Sequence, residues 1–374
     1  MSESTNPEID LIMNRKRDGI DIPLSNNVQS RYVSNYLECV KLIHNALPEI
    51  DFDEIDTSTE FLNTKFGAPI IIDSMTGGTP EALKINSRLG QLAETSGFGM
   101  GLGSQRAGLK SSILAETYSV ARKNAPSAFL IANIGGAQLA EGLDIQMIEK
   151  IISMIDANAL VIHLNPLQEL IQPEGEPKYK GVLEKIAIIT EKISIPIIVK
   201  EVGSGISREV ALKLQKANIN CINVAGAGGT SWAGIEKIRA NKVKNDVKEH
   251  LGELFWDWGI PTALSLIEVR NSVELPLIAS GGIRNGLEIA KCVALGANMG
   301  AMAYPFLKAA SESPESLFTF STNLINELKG AMFLTGSANI PDLAKSRLIL
   351  TGELADMVIN NEGYYQSRRR KLHK

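Results

Sequence analysis

The chain alternates eight times between a short apolar run and an amphipathic stretch, and this alternation constrains its fold more than any other feature. The apolar runs fall at 69–74, 99–104, 128–134, 160–165, 195–202, 220–225, 275–280 and 298–303. The stretches at 81–95, 144–155, 181–193 and 208–217 have helical spacing with one apolar face. A strand followed by a helix, repeatedly, predicts a parallel sheet, because the helix carries the chain back to start the next strand in the same direction. Eight such units predict a closed (β/α)8 barrel, a TIM barrel. The competitor is an open doubly wound sheet, but no Gly-x-Gly-x-x-Gly follows the first strand. Residues 1–65 then read as an N-terminal extension closing over the barrel mouth, 66–340 as the barrel, and 341–374 as a helical segment with a basic tail. The polar, Lys-rich stretch 239–253 reads as a mobile insertion or lid.

Composition removes several function classes. Of 374 residues 44% are hydrophobic and 21% charged, as in a soluble globular protein, and no apolar run is long enough for a membrane span. A net charge of −4 and a pI near 5.8 argue against a nucleic-acid partner. Arg368-Arg369-Arg370-Lys371 reads as a solvated tail. Cys39, Cys221 and Cys292 share no Cys-x-x-Cys spacing, and no two His are spaced as a ligand pair, so zinc is not expected. With Met1-Ser2-Glu3-Ser4 unlike a signal peptide, a reduced cytoplasmic compartment is the expectation.

In a parallel barrel, ligands bind at the carboxyl ends of the strands. The fourth run ends in His163-Leu164-Asn165-Pro166-Leu167-Gln168-Glu169, followed by Gln172-Pro173-Glu174-Gly175-Glu176-Pro177, an imidazole, amides and carboxylates where simple turn residues would do. Strand alternation puts His163 and Asn165 on one face and Leu164 on the other, so the polar pair should point into the mouth. The other ends carry Met75-Thr76-Gly77-Gly78, Gly103-Ser104-Gln105-Arg106, Asn133, Lys200-Glu201, Gly226-Ala227-Gly228-Gly229-Thr230-Ser231-Trp232, Ser280-Gly281-Gly282-Ile283-Arg284 and Ala301-Met302-Ala303. Neighbouring glycine loops after the sixth and seventh runs suit a phosphate, because their backbone N–H groups can approach an anion closely. Lys200 at a buried strand end needs a negative partner, Glu201 or a bound anionic ring. Arg15-Lys16-Arg17 and Arg106 match phosphate oxygens; the alternatives are a solvated run, the commoner meaning of three basic residues, and a surface ion pair for Arg106. Glu169 suits a magnesium ion that also touches substrate phosphate, or caps the next helix.

Taken together, Asn14-Arg15-Lys16 and the strand-end motifs, in this order from Asn14 to about Ser337, resemble the type 2 isopentenyl-diphosphate isomerases, FMN-dependent cytoplasmic barrels. The resemblance implies an isomerase that converts isopentenyl to dimethylallyl diphosphate by proton addition and removal. It implies FMN, kept reduced by NADPH, and Mg2+. It implies an FMN site at Met75, Thr76, Gly77, Ser104, Asn133, Lys200, Thr230, Gly281, Gly282, Arg284, Ala301 and Met302. It implies a substrate site at Arg15, Lys16, Ser104, Gln105, Arg106, His163, Asn165 and Gln168, a magnesium ligand in Glu169, and proton handling by reduced flavin N5 with Gln168 beside it. Partners implied are the small diphosphate and further copies of the chain, as a tetramer or octamer, with neither nucleic acid nor membrane. Two positions depart from the pattern. Gly19 stands where the family usually has a histidine, and Ala225 where it has a serine, which leaves flavin binding there to Thr230 and Lys200.

The runner-up is an FMN-dependent oxidoreductase of the 2-hydroxy-acid oxidase or dehydrogenase type. Such an enzyme needs a catalytic His at the sixth strand end, where this chain reads Ala225-Gly226-Ala227-Gly228-Gly229. A nucleotide dehydrogenase of the same barrel class wants a loop cysteine, but Cys221 and Cys292 fall in predicted core elements. A non-catalytic flavin or phosphate binder would need neither Gln168 nor Glu169.

Overall fold

A computed structural model describes the backbone of residues 7–372 and the side chains of residues 9–363. Eight parallel strands close into a barrel: β1 (Ile70–Ile72), β2 (Gly99–Gly101), β3 (Leu130–Gly135), β4 (Ala159–His163), β5 (Ile197–Lys200), β6 (Cys221–Asn223), β7 (Leu277–Ala279) and β8 (Met299–Met302). Ladder register closes the ring where Ala301 pairs with Ile71. The runs read from sequence overlap all eight strands and overshoot most of them by one to three residues, because ladder pairing stops where the functional turns begin.

Alternation sorts the side chains. Ile71 joins Ile131, Val161, Ile198 and Ile278 in the barrel interior, whereas Ile70 and Ile72 join the layer beneath the helices. The amino-terminal end of the barrel is plugged by an antiparallel hairpin, Thr59–Phe61 with Thr64–Phe66. Phe66 lies against Phe129 at the start of β3, with ring centroids 5.3 Å apart. Gly99, the first residue of β2, fits tightly there, since a Cβ would approach Phe66 to 3.0 Å. The plug leaves the carboxyl end as the open mouth, where ligands bind in such barrels.

The N-terminal helix α1 (Pro7–Ser25) touches the helices that follow β6 and β8. Further along, Val40–Leu42 pairs antiparallel with Leu348–Leu350, tying the extension to the segment beyond the barrel. The chain closes with the helix Gly352–Leu372; the side chains of Arg368 to Lys371, and residues 1–4, lie outside those described. Among the described residues no helix is long and apolar enough to cross a membrane.

The region read as a mobile lid is ordered helix. Trp232–Lys242 and Asp246–Leu254 pack on each other, capped by Ser231 and Asn245. A lysine-rich polar surface serves an exposed helix face as well as a loop, so composition misled here. Gly252 allows the close fit, since a Cβ would meet Lys237 Cβ at 2.6 Å.

Candidate active site

Two clefts open side by side at the mouth and share the wall formed by Gly19, Ser74, Met75, Lys200, Val202, Trp232 and Ile235. The first, about 820 Å³, lies over β6, β7 and β8. Its floor is built from glycine. A Cβ on Gly229 would fall 2.5 Å from the Gly282 nitrogen, and one on Gly281 only 2.1 Å from the Gly226 carbonyl oxygen. Gly281 and Gly282 also take φ of 104° and 72°, where side chains are strained. The loops after β6 and β7 therefore meet backbone to backbone, and Thr230, Arg284 and the start of the helix Tyr304–Glu312 face the same space. Hydroxyl, guanidinium, glycine backbone and a helix amino terminus form a donor set suited to a phosphate. The structure thus gathers Met75, Lys200, Thr230, Gly281, Gly282, Arg284, Ala301 and Met302 around one cleft. Ala225 lies there as well, at a φ of 38°.

Lys200 ends β5 almost wholly buried. Its partner is not its neighbour Glu201 but Asp73, at the end of β1, with Nζ 3.4 Å from Oδ2. Glu201 Oε2 instead accepts the backbone N–H groups of Val202, Gly203 and Ser204, which shapes the loop bordering both clefts. Burial pushes the Glu201 carboxyl up to about 7 against the pull of those three donors.

The second cleft, about 890 Å³, gathers Arg15, Lys16, Ser104, Arg106, Asn133, His163, Asn165, Gln168 and Glu169. α1 delivers Arg15 and Lys16. The Lys16 ammonium donates to the Ser104 carbonyl at 2.9 Å. Lys16 keeps some surface in the cleft, yet withdrawal from water, reinforced by Arg15 and Arg106, pulls its pKa down to about 7. Arg106 pairs with Glu141 at 3.1 Å while still facing the cleft, so the surface ion pair and the ligand-facing position coexist. His163 is pushed down to about 3, first by burial and then by Lys200, Lys16 and Arg15. It is therefore neutral near pH 7. Asn133 donates Nδ2 to the Leu102 carbonyl, which turns Oδ1 towards His163 Nδ1 at 2.7 Å. That oxygen only accepts, so this contact takes the imidazole proton on Nδ1.

Pro166 opens the short helix Pro166–Ile171, and its turn swings Gln168 and Glu169 back under Asn165. Asn165 Nδ2 donates to Gln168 Oε1 at 3.1 Å and to Glu169 Oε1 at 3.2 Å, and its own Oδ1 accepts from Tyr179. Gln168 Nε2 donates to Glu236 Oε1 at 2.8 Å. The amide of Gln168 is thus gripped at both ends. Glu236 and Arg239 sit one helical turn apart, and the buried Arg239 also reaches Asp18 on α1 and Glu174. Burial raises the Glu236 carboxyl above the ordinary carboxylate range, opposed by Arg239 and Gln168. Glu236, Arg239 and Asp73 were missed in the sequence. Only the Glu236-x-x-Arg239 spacing directly after the glycine loop hinted at the first two.

Three expected residues are not in either lining. Gln105 is fully buried, where Nε2 donates to the Ile151 carbonyl at 3.0 Å and Oε1 accepts the Asn133 N–H at 3.1 Å; it supports the site from behind. Thr76 donates its hydroxyl to Asn86 Oδ1 at 2.5 Å. Gly77 is dictated by Tyr118, whose ring would lie 1.8 Å from a Cβ there. Ser104, expected in both sites, and Asn133, expected against the cofactor, face the second cleft. Gly19 lines both clefts, and Trp232 lies 4.0 Å from the place a side chain would begin.

An isopentenyl-diphosphate delta-isomerase of Methanosarcina mazei is 48% identical over 90% of this chain and 92% of its own length. One from Archaeoglobus fulgidus is 45% identical over 92% of this chain and 97% of its own. The chain belongs to the isopentenyl-diphosphate delta-isomerase family. A family profile described as FMN-dependent dehydrogenase matches residues 167–350. A lactate oxidase from Pediococcus acidilactici superposes with a TM-score of 0.65 at 16% identity, covering 94% of this chain and 96% of its own. A mandelate oxidase carrying an FMN adduct gives 0.60 at 15%, covering 91% and 100%. At such identities these two share the fold with this family member, and the likeness carries no more than that.

Proposed function

We propose that the protein converts isopentenyl diphosphate to dimethylallyl diphosphate, with FMN in the first cleft and the substrate in the second. The observation that carries this reading is the shared wall: a glycine-built anion cradle on one side, and on the other three cations, Arg15, Lys16 and Arg106, around a neutral imidazole and a clamped amide. The relatives' names agree with it.

The first cleft suits FMN by its donor set and by glycine loops whose backbone-to-backbone packing any Cβ would break. Bound and reduced, with NADPH as the reductant in this reading, FMN supplies a group able to give and take a proton beside an alkene, which no ordinary side chain does easily. The chain's own residues do the rest. Thr230, Arg284 and the glycine loops would hold the phosphate, and Lys200, balanced by Asp73, would face negative charge on the ring. Arg15, Lys16 and Arg106 would fix the substrate diphosphate and so orient its hydrocarbon end. Gln168, locked by Asn165 and Glu236, has a second N–H and a lone pair to present to the reacting carbons or to a proton in transit.

Among the described residues no group of three or more His, Cys, Asp or Glu is placed to hold a metal. A dedicated protein cage for magnesium is therefore not part of the proposal. One carboxylate, Glu169, joined by diphosphate oxygens and water, fits the way magnesium is bound with phosphate substrates. The hydroxy-acid oxidase reading draws on the FMN-dependent dehydrogenase profile, but Ala225, Gly226 and Ala227 occupy the strand end where its catalytic His would stand. The test is anaerobic turnover of isopentenyl diphosphate with FMN and a reductant. Activity should need both flavin and magnesium; full activity without flavin would overturn the reading.

A further inference from the structure

We infer that Gln29, in the extension ahead of the barrel, is a positioning residue for the flavin phosphate: it aims Thr230 and Arg284 into the first cleft without entering it. The inference rests on reading that cleft as the FMN site.

Residues 28–30 make a single antiparallel bridge to the loop after β6. Ser30 N donates to the Gly229 carbonyl and Ser231 N to the Val28 carbonyl, both at 2.7 Å, and Gln29 pairs with Thr230 between them. Trp256 Nε1 holds the Gln29 carbonyl at 3.0 Å, so the backbone is fixed from both sides. The side chain then bridges two loops. Its Nε2 donates to Thr230 Oγ1 at 3.2 Å, and its Oε1 accepts from Arg284 Nη2 at 2.6 Å. Thr230 and Arg284 line the cleft; Gln29 stands behind them.

An amide suits this place better than any charged group. By donating to the Thr230 oxygen it leaves the single hydroxyl hydrogen for an anion in the cleft. By accepting from Arg284 it orients the guanidinium without cancelling its charge. The guanidinium's other hydrogen bond is neutral too, Nη1 donating to the Ile283 carbonyl at 3.0 Å, and the group lies 5.6 Å from the centre of the Tyr304 ring; the Glu288 carboxylate, whose charge also acts on Arg284, accepts from its backbone N–H at 2.7 Å. A carboxylate at position 29 would keep the Arg284 contact, lose the donor to Thr230 and set a negative charge near the phosphate.

FMN and riboflavin separate this role from a structural one, because they differ only by the phosphate. Full-length protein freed of flavin would be titrated with each, following flavin fluorescence, for wild type, Gln29→Met and Gln29→Glu. Wild type should prefer FMN. Gln29→Met should bind FMN about tenfold more weakly, as expected for disturbing charge-assisted contacts, with riboflavin affinity unchanged. Gln29→Glu should lose more FMN affinity than Gln29→Met, again sparing riboflavin, and this second variant decides the matter if the first fails to fold. Equal weakening for both flavins, or none, overturns the role of Gln29. A wild type that binds FMN and riboflavin alike overturns the phosphate site itself, and the inference with it.

Discussion

Lys16 makes the affinity for a diphosphate depend on pH in a direction set by its surroundings. In the free protein its pKa lies at about 7, held down by burial and by Arg15 and Arg106. Half of it is then charged at pH 7 and about 1% at pH 9. A diphosphate binds the ammonium form and pulls the pKa back up, so binding takes up a proton, and affinity falls as pH rises through the free-protein pKa. If the complex keeps Lys16 charged throughout, affinity for dimethylallyl diphosphate drops about 50-fold between pH 7 and 9, or about 2 kcal/mol. A phosphate ester has its last ionisation near pH 6, so the ligand contributes roughly nothing to this window. Calorimetric titration in buffers of different ionisation heat measures both the affinity and the proton taken up, about half a proton at pH 7 and nearly one at pH 9. Lys16→Arg keeps its charge and should flatten the profile. A flat wild-type profile, or an equal slope in Lys16→Arg, would refute the argument.

Three other substitutions probe the division between clefts and scaffold. Gln105→Ala leaves the Ile151 carbonyl and the Asn133 N–H without their buried partner, so thermal unfolding should show a loss of about 2 kcal/mol, whereas direct loss of a substrate contact would alter KM without altering stability. Gln168→Asn shortens the clamped amide and should lower kcat while the flavin Kd stays the same; unchanged turnover would remove Gln168 from the site. Arg106→Ala should weaken diphosphate binding by about 2 kcal/mol through loss of a charge-assisted contact, and unaltered affinity would leave Arg106 only its pairing with Glu141.

The barrel was legible because its signal is local: each apolar run bounded by polar turns reports its own strand. The strand-end motifs were legible for the same reason, which is why His163, Asn165, Gln168 and Glu169 were singled out and lie together in one cleft. What stayed hidden depends on distant parts of the chain. Nothing in Thr59–Phe66 announces a plug, because its value lies in Phe66 meeting Phe129. Lys200 showed the need for a counter-charge, but the sequence neighbour Glu201 was the obvious candidate, and only barrel closure brings up Asp73. Gln105 looked like a site residue by its company in Gly103-Ser104-Gln105-Arg106, yet the short helical turn at Gln105–Leu109 points it inward. Arg239 looked like part of a mobile polar segment, although three carboxylates, on α1, on the acidic loop and on its own helix, bury it.

In the function proposed above, these two clefts together move a proton onto and off a diphosphate-bearing alkene. Proton and deuterium NMR of isopentenyl diphosphate turned over anaerobically in D2O with FMN, a reductant and magnesium tests it most directly. The account predicts dimethylallyl diphosphate carrying solvent deuterium in a methyl group, and no product when the flavin is left oxidised. Product free of solvent deuterium, or turnover of a 2-hydroxy acid with no isomerisation, would contradict it.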